Sequence, residues 1–156
     1  MRRKGISMRI VILCVLGLAM IGLSASAFTV GIGAGLDPTG LFVMSALAEM
    51  PVGEWIDLRA QIGFSTDQVE GLMLAGIDVI AHHPYPPVDP YVGIGLGAAV
   101  TPPPFTTGIV IEGVAGVRFV PVEQLALFLE ARYLLRYSGG AWTTGPLYQA
   151  GLQIRL

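Results

Sequence analysis

The segment PYVGIGLGAAV, residues 90–100, sets glycine at 93, 95 and 97 and aliphatic or small side chains at 92, 94, 96, 98 and 100. The same two-residue beat runs through much of the chain. Between 54 and 64 the even positions hold Glu54, Ile56, Leu58, Ala60, Ile62 and Phe64, and the odd ones Trp55, Asp57, Arg59, Gln61 and Gly63. Between 109 and 119, Ile109, Ile111, Gly113, Ala115, Val117 and Phe119 alternate with a set that includes Glu112, Gly116 and Arg118. Leu125, Leu127, Leu129, Ala131, Tyr133 and Leu135 alternate with Glu130 and Arg132; Tyr148, Ala150, Leu152, Ile154 and Leu156 alternate with Gln149, Gly151, Gln153 and Arg155. A period of two places each set on its own face of a strand. Every arginine beyond residue 27 (Arg59, Arg118, Arg132, Arg136, Arg155) falls on the polar parity of its segment.

The first 27 residues read differently: MRRKGISMR, then IVILCVLGLAMIGL, then SASA. A basic stretch, an apolar stretch and the A-x-A site Ala25-Ser26-Ala27 predict a secretory signal peptide over 1–27, cut before Phe28. Cys14 lies early in the apolar stretch, which disfavours a lipoprotein signal. Cleavage would remove the single cysteine, so the mature chain, 28–156, would hold no disulfide and no thiol catalyst. Its length suits one domain. Loss of Arg2, Arg3, Lys4 and Arg9 leaves five arginines against eleven acidic residues, a net charge of −6. That balance offers no basic patch for nucleic acid. The chain is 53% hydrophobic and only 13% charged, where a soluble domain carries about 25% charged residues. An exported chain so apolar is built to meet lipid.

Helices are a poor way for it to do so. A spanning helix needs about 20 consecutive apolar residues. The longest stretch free of Asp, Glu, Lys, Arg and His after residue 27 is 90–111, and Pro102-Pro103-Pro104 breaks it. The other spanning solution is a closed barrel, whose strands need about 9–11 residues. Turn signals divide the chain into eight strands, near 28–36, 40–50, 53–65, 69–82, 90–100, 106–120, 124–137 and 146–156. The predicted connections are Asp37–Gly40, Pro51–Gly53, Ser65–Gln68, HHPYPPVDP, TPPPFTT, Pro121–Glu123 and SGGAWTTG. The second strand is apolar on both parities, and the fourth could pass for a short helix.

The expected fold is therefore all-β: an eight-stranded, antiparallel, up-and-down transmembrane barrel. In such a barrel one face of each strand meets acyl chains and the other the lumen. The aliphatics of 90–100 then face lipid, and Gly93, Gly95 and Gly97 face a crowded interior. The lumen is expected to hold a polar network of Asp57, Arg59, Asp78, Glu112, Arg118, Glu130, Arg132 and Arg155, joined by Gln61, Gln149 and Gln153. Phe28, Phe64, Phe119, Tyr133 and Tyr148 take the lipid parity as an aromatic girdle. A sixth–seventh hairpin centred on Val122 would set Glu112 opposite Arg132 and Ile111 opposite Tyr133.

The leader, PYVGIGLGAAV, the hairpin GVRFVPVEQLALFLEARYLLRY and the last strand LYQAGLQIRL together make the chain resemble the small eight-stranded bacterial outer-membrane β-barrel proteins. The resemblance spans 28–156 and implies location in the bacterial outer membrane. It also implies lipid as surroundings and recognition of the terminal strand by the barrel-assembly machinery, through Tyr148, Ala150, Leu152, Ile154 and Leu156. A terminal Leu in place of the commoner Phe departs from the pattern. So does the long 82–90 connection, which falls on the side where such barrels keep their turns short.

An eight-stranded lumen is just wide enough for side chains to fill it. The leading expectation is a monomeric, non-enzymatic barrel with a structural or loop-presenting role in the envelope. A lipid-modifying enzyme and a narrow ion-conducting pore are the alternatives. Catalysis would need a histidine beside a serine or carboxylate at a rim; His82 and His83 stand among prolines, far in sequence from any serine. Adjacent histidines on opposite strand faces also make a poor metal pair with Asp78. GIGAG at 31–35 lacks dinucleotide-loop spacing. No catalytic, cofactor-binding or metal residue, and no cofactor, is expected.

Overall fold

A computed structural model describes residues 28–37, 40–65, 73–101 and 106–156. The predicted signal peptide, the Thr66–Gln68 turn and the triple proline at 102–104 lie outside these residues. Eight strands follow in order: β1 (Thr29–Leu36), β2 (Phe42–Pro51), β3 (Ile56–Ser65), β4 (Met73–His82), β5 (Val88–Thr101), β6 (Thr106–Val122), β7 (Leu125–Ser138) and β8 (Ala141–Arg155). Each pairs antiparallel with the next, and β1 pairs with β8 from Thr29–Arg155 to Leu36–Tyr148, closing the barrel. Closure leaves no free sheet edge. Phe28 and Leu156 meet at one mouth, the Leu156 amide donating to the Phe28 carbonyl at 2.7 Å.

The alternation read in the sequence is the division between wall and lumen. Ile94 is 73% exposed and Ile32, Leu96 and Leu129 each 60% or more, whereas Arg59 and Asp78 are wholly buried. This inverts a soluble protein and suits a barrel whose solvent is hydrocarbon. Aromatics follow the same rule: Phe64, Phe119, Tyr133 and Tyr148 stand exposed on the wall.

Gly93, Gly95 and Gly97 face inward, and each lacks room for a side chain. A β-carbon on Gly95 would lie 2.0 Å from Asp78 Oδ1; on Gly93, 2.5 Å from Ile80 Cδ1; on Gly97, 2.5 Å from the Ala75 carbonyl. Only hydrogen fits where β5 passes the side chains of β4.

Several predicted boundaries move outward, because residues read as turn signals continue strands. β5 begins at Val88, and Pro90 sits within it on the outer face. SGGAWTTG is mostly strand: the turn is Gly139-Gly140, both at positive φ (61° and 88°), and β8 starts at Ala141. Two such glycines favour a tight hairpin turn whose twist matches the flanking strands. Trp142, read as a loop residue, pairs across from Tyr137 with ring centroids 5.1 Å apart. β3 begins at Ile56, later than 53.

The β6–β7 register is also corrected. Ile111 faces Leu135 rather than Tyr133, Glu112 faces Leu134, and Arg132 faces Val114. The turn is Glu123-Gln124, and the ladder shifts between Phe119 and Val122. Pro121 has no N–H for the ladder, and the strand carries a one-residue bulge there; the turn's place moves the pairing by three residues and the bulge takes one back. The slip is two residues, not one. Each side chain keeps its face.

Candidate functional site

The lumen gathers charge from β2 through β7, and β8 adds the neutral amides Gln149 and Gln153. Glu130, on β7, is its hub. Its Oε2 accepts Arg59 Nη1 at 2.7 Å and the Tyr91 hydroxyl at 2.6 Å; its Oε1 accepts Arg132 Nη1 at 3.1 Å and the Gln149 side-chain amide. Those donors come from β3, β5, β7 and β8. Ser45 Oγ donates to Gln149 Oε1 at 3.1 Å, extending the network to β2.

Arg132 spreads over three carboxylates: Nη2 lies 2.7 Å from Asp78 and 2.8 Å from Glu112, and Nη1 reaches Glu130. Nε donates to Glu112 at 2.9 Å, and Nη1 also donates to Gln61. Arg132 and Glu112 thus meet without standing directly opposite, because a guanidinium spans the two-residue offset. Planar donors in a fixed fork suit such shared carboxylate recognition. Beyond this pair, on the side away from the termini, Val43, Leu74, Val110 and Leu147 close over the lumen, leaving a void of about 20 Å³. That is room for about one water.

Toward the termini the lumen opens. Arg118 Nη2 meets Glu49 at 2.8 Å, and its Nη1 meets Asp89 and Asp57 at 3.3 and 3.4 Å. The His82 ring lies between the same two aspartates, Nδ1 at 3.2 Å from Asp89 and Nε2 at 3.6 Å from Asp57. Arg59 and Arg118 flank the Tyr91 ring at 5.1 and 4.8 Å from its centroid, a cation–π sandwich joining the two regions. Outward of Arg118 a cavity of about 470 Å³ opens between the terminal strands and the 52–55, 83–87 and 123–124 turns.

Of the residues picked out in the sequence, Asp57, Arg59, Asp78, Glu112, Arg118, Glu130 and Arg132 are buried in the lumen. Arg155 is not: it keeps the inward parity but ends at the rim of the cavity, exposed, because β8 finishes there. Glu49, Asp89, Tyr91 and His82 were missed. Glu49 hid in a strand apolar on both parities, and Asp89 and His82 in a segment read as turn. For Asp89 and Tyr91 the signal was the odd run Asp89, Tyr91, Gly93, Gly95, continuous with the inner face of β5, and for His82 the even run Asp78, Ile80, His82 of β4.

Catalytic arrangements are sparse. The His82 imidazole meets carboxylates, while His83 turns outward and stacks on Trp55 at 4.8 Å. Among the described residues no group of three His, Cys, Asp or Glu is placed to hold a metal ion.

No family model and no curated protein matches the sequence. Solved structures do match the fold. The N-terminal β-barrel domain of Pseudomonas aeruginosa OprF aligns with TM-score 0.70 at 14% identity, over 85% of this chain and 98% of that one. Neisserial surface protein A aligns with TM-score 0.67 at 16% identity, over 82% and 96%. The outer membrane enzyme PagL aligns with TM-score 0.56 at 10% identity, over 82% and 98%. At these identities the likeness is one of architecture. With a closed eight-strand ladder, an apolar wall and a polar interior, the chain has the fold of the small outer-membrane β-barrels.

Proposed function

We propose that the protein is a non-enzymatic barrel of the bacterial outer membrane, exported by the 1–27 leader, with a structural or loop-presenting role in the envelope. One observation carries this reading: the interior is filled and cross-tied, while the large apolar side chains face out. Such a body has its surface spent on lipid and its inside spent on itself. Insertion would use the assembly machinery through β8, and the folded unit would be a monomer. The seam residues of β8 are all engaged with β1 or β7.

The fold also hosts an enzyme, PagL. Here the histidine at the inner mouth faces two aspartates, an arrangement with no nucleophile beside it. A conducting path would have to pass Arg59, Glu130 and Arg132, each 2% exposed or less, and then the apolar cap. The test pairs two measurements on the refolded mature chain. Heat-modifiable gel mobility without conductance in planar bilayers is the expected outcome. Steady single-channel currents would replace this reading with a pore, and hydrolysis of membrane lipid with an enzyme.

A further inference from the structure

The cavity at the terminal mouth is short of positive charge. Its walls carry Glu49, Glu54, Asp57, Asp89 and Glu123 against Arg118 and Arg155. His82 adds charge only when protonated. The deeper lumen lends part of one arginine, since Arg59 Nε meets Glu49 at 2.8 Å while its Nη1 meets Glu130, and Arg132 is spread over Asp78, Glu112 and Glu130. Asp57 and Asp89 are left to share Arg118 Nη1 at 3.4 and 3.3 Å. Buried carboxylates without counter-charge are costly. Among the described residues the far side is lined by the apolar Val43, Leu74, Val110 and Leu147, and the open mouth is where compensation can enter.

A second, independent feature narrows what would enter. Gln153 lines this cavity, is 1% exposed, and leaves its Nε2 unpaired. Arg118 Nε is likewise buried and unpaired. Both are donors, so both ask for an acceptor oxygen in a cavity whose carboxylates ask for a cation. A bare metal ion supplies only the second, and no three ligating side chains among the described residues converge to hold one. The volume of about 470 Å³ also exceeds what an ion needs.

We propose that the terminal mouth binds a small primary ammonium compound with a hydroxyl or carbonyl oxygen close to its nitrogen. The ammonium sits against Asp57 and Asp89 on the open side of Arg118, and the oxygen accepts from Gln153. An amino sugar and an amino-acid amide both carry this chemistry, on different frames.

The test is titration calorimetry of the full mature barrel, refolded in detergent, with glucosamine and glycinamide as probes. Methylammonium lacks the oxygen and N-acetylglucosamine lacks the charge. Saturable binding of one or both probes, with both controls at least about tenfold weaker, supports the site; the tighter probe identifies the frame. Gln153→Leu should weaken the probe about threefold to tenfold, and Asp89→Asn about tenfold, as expected for one neutral and one charge-assisted hydrogen bond. Glu54→Gln, on an exposed turn, leaves the fold alone; it should weaken binding about twofold if either inner variant fails to refold. Absence of saturable binding, equal binding of methylammonium, or affinity indifferent to all three substitutions would overturn the proposal.

Discussion

Around Glu130 and around His82 the barrel pairs carboxylates with cationic or ring-nitrogen side chains at different spacings. The inner contacts to Glu130 and Arg132 that run between 2.6 and 3.1 Å involve groups at most 8% exposed. At the mouth, His82 and Arg118 hold Asp57 and Asp89 at 3.2–3.6 Å beside open volume. Confinement makes the difference. In the deep lumen a charge cannot be rehydrated, so each partner is obligatory. At the mouth Asp57 and Asp89 border open volume, so water or an entering cation can add to the partners already there. The first region specifies the fold; the second is where binding can occur at little cost to it.

That contrast can be broken in four ways, from large effect to small. Glu130→Leu takes a shared partner from Arg59, which keeps Glu49, and from Arg132, which keeps Asp78 and Glu112. It also leaves the Tyr91 hydroxyl and the Gln149 amide without their acceptor. Urea titration of the refolded barrel should show a loss of about 3–5 kcal/mol. A loss below about 1 kcal/mol would mean the inner network is as replaceable as the mouth. Leu127→Arg tests the wall common to both regions. A charge on the lipid face costs about 2–4 kcal/mol at mid-depth and less near an interface, so vesicle refolding should be impaired more than refolding in a short-chain detergent. Gly95→Leu crowds the inner region alone. Overpacking costs about 1–3 kcal/mol, seen as partial or lost heat-modifiability, while the same change at Gly113, whose β-carbon would meet nothing within 4 Å, should be silent. Arg155→Gln, at the exposed rim, should change stability by no more than about 0.5 kcal/mol.

Much of this architecture is legible in the sequence, because a barrel between lipid and a polar interior writes its two faces directly onto odd and even positions. The strand count and the inward turn of Gly93, Gly95 and Gly97 follow from that alone. Parity also brings Arg59 and Glu130 to the same side without any knowledge of their contact. What parity cannot carry is sliding by two, and the turn at Glu123-Gln124 together with the one-residue bulge beside it moved the Glu112–Arg132 offset by that amount. Nor does it mark strand ends: Pro90 and Trp142 look like turn residues, yet an outward proline at a strand start loses nothing the ladder needs. Glu49 and Asp89 escaped for the same reason, one in a strand without contrast and the other beyond a boundary drawn too early. The inner end of Arg155's strand was legible; that its tip stands clear of the lumen depended on where β8 stops.

The seam between β1 and β8 joins residue 29 to residue 155, the most distant strand pairing among the described residues. Pairing across such a separation comes late and slowly, since the loop entropy is spent before the contact rewards it. Glu130 waits on the same event: one of its four donors, Gln149, arrives only with β8. An unfinished barrel therefore exposes two bare strand edges and an interior with its central carboxylate undersupplied. Assembly is rewarded as a whole, and a chain halted one strand short is left in a form that lipid will not hold and that a quality-control protease can reach.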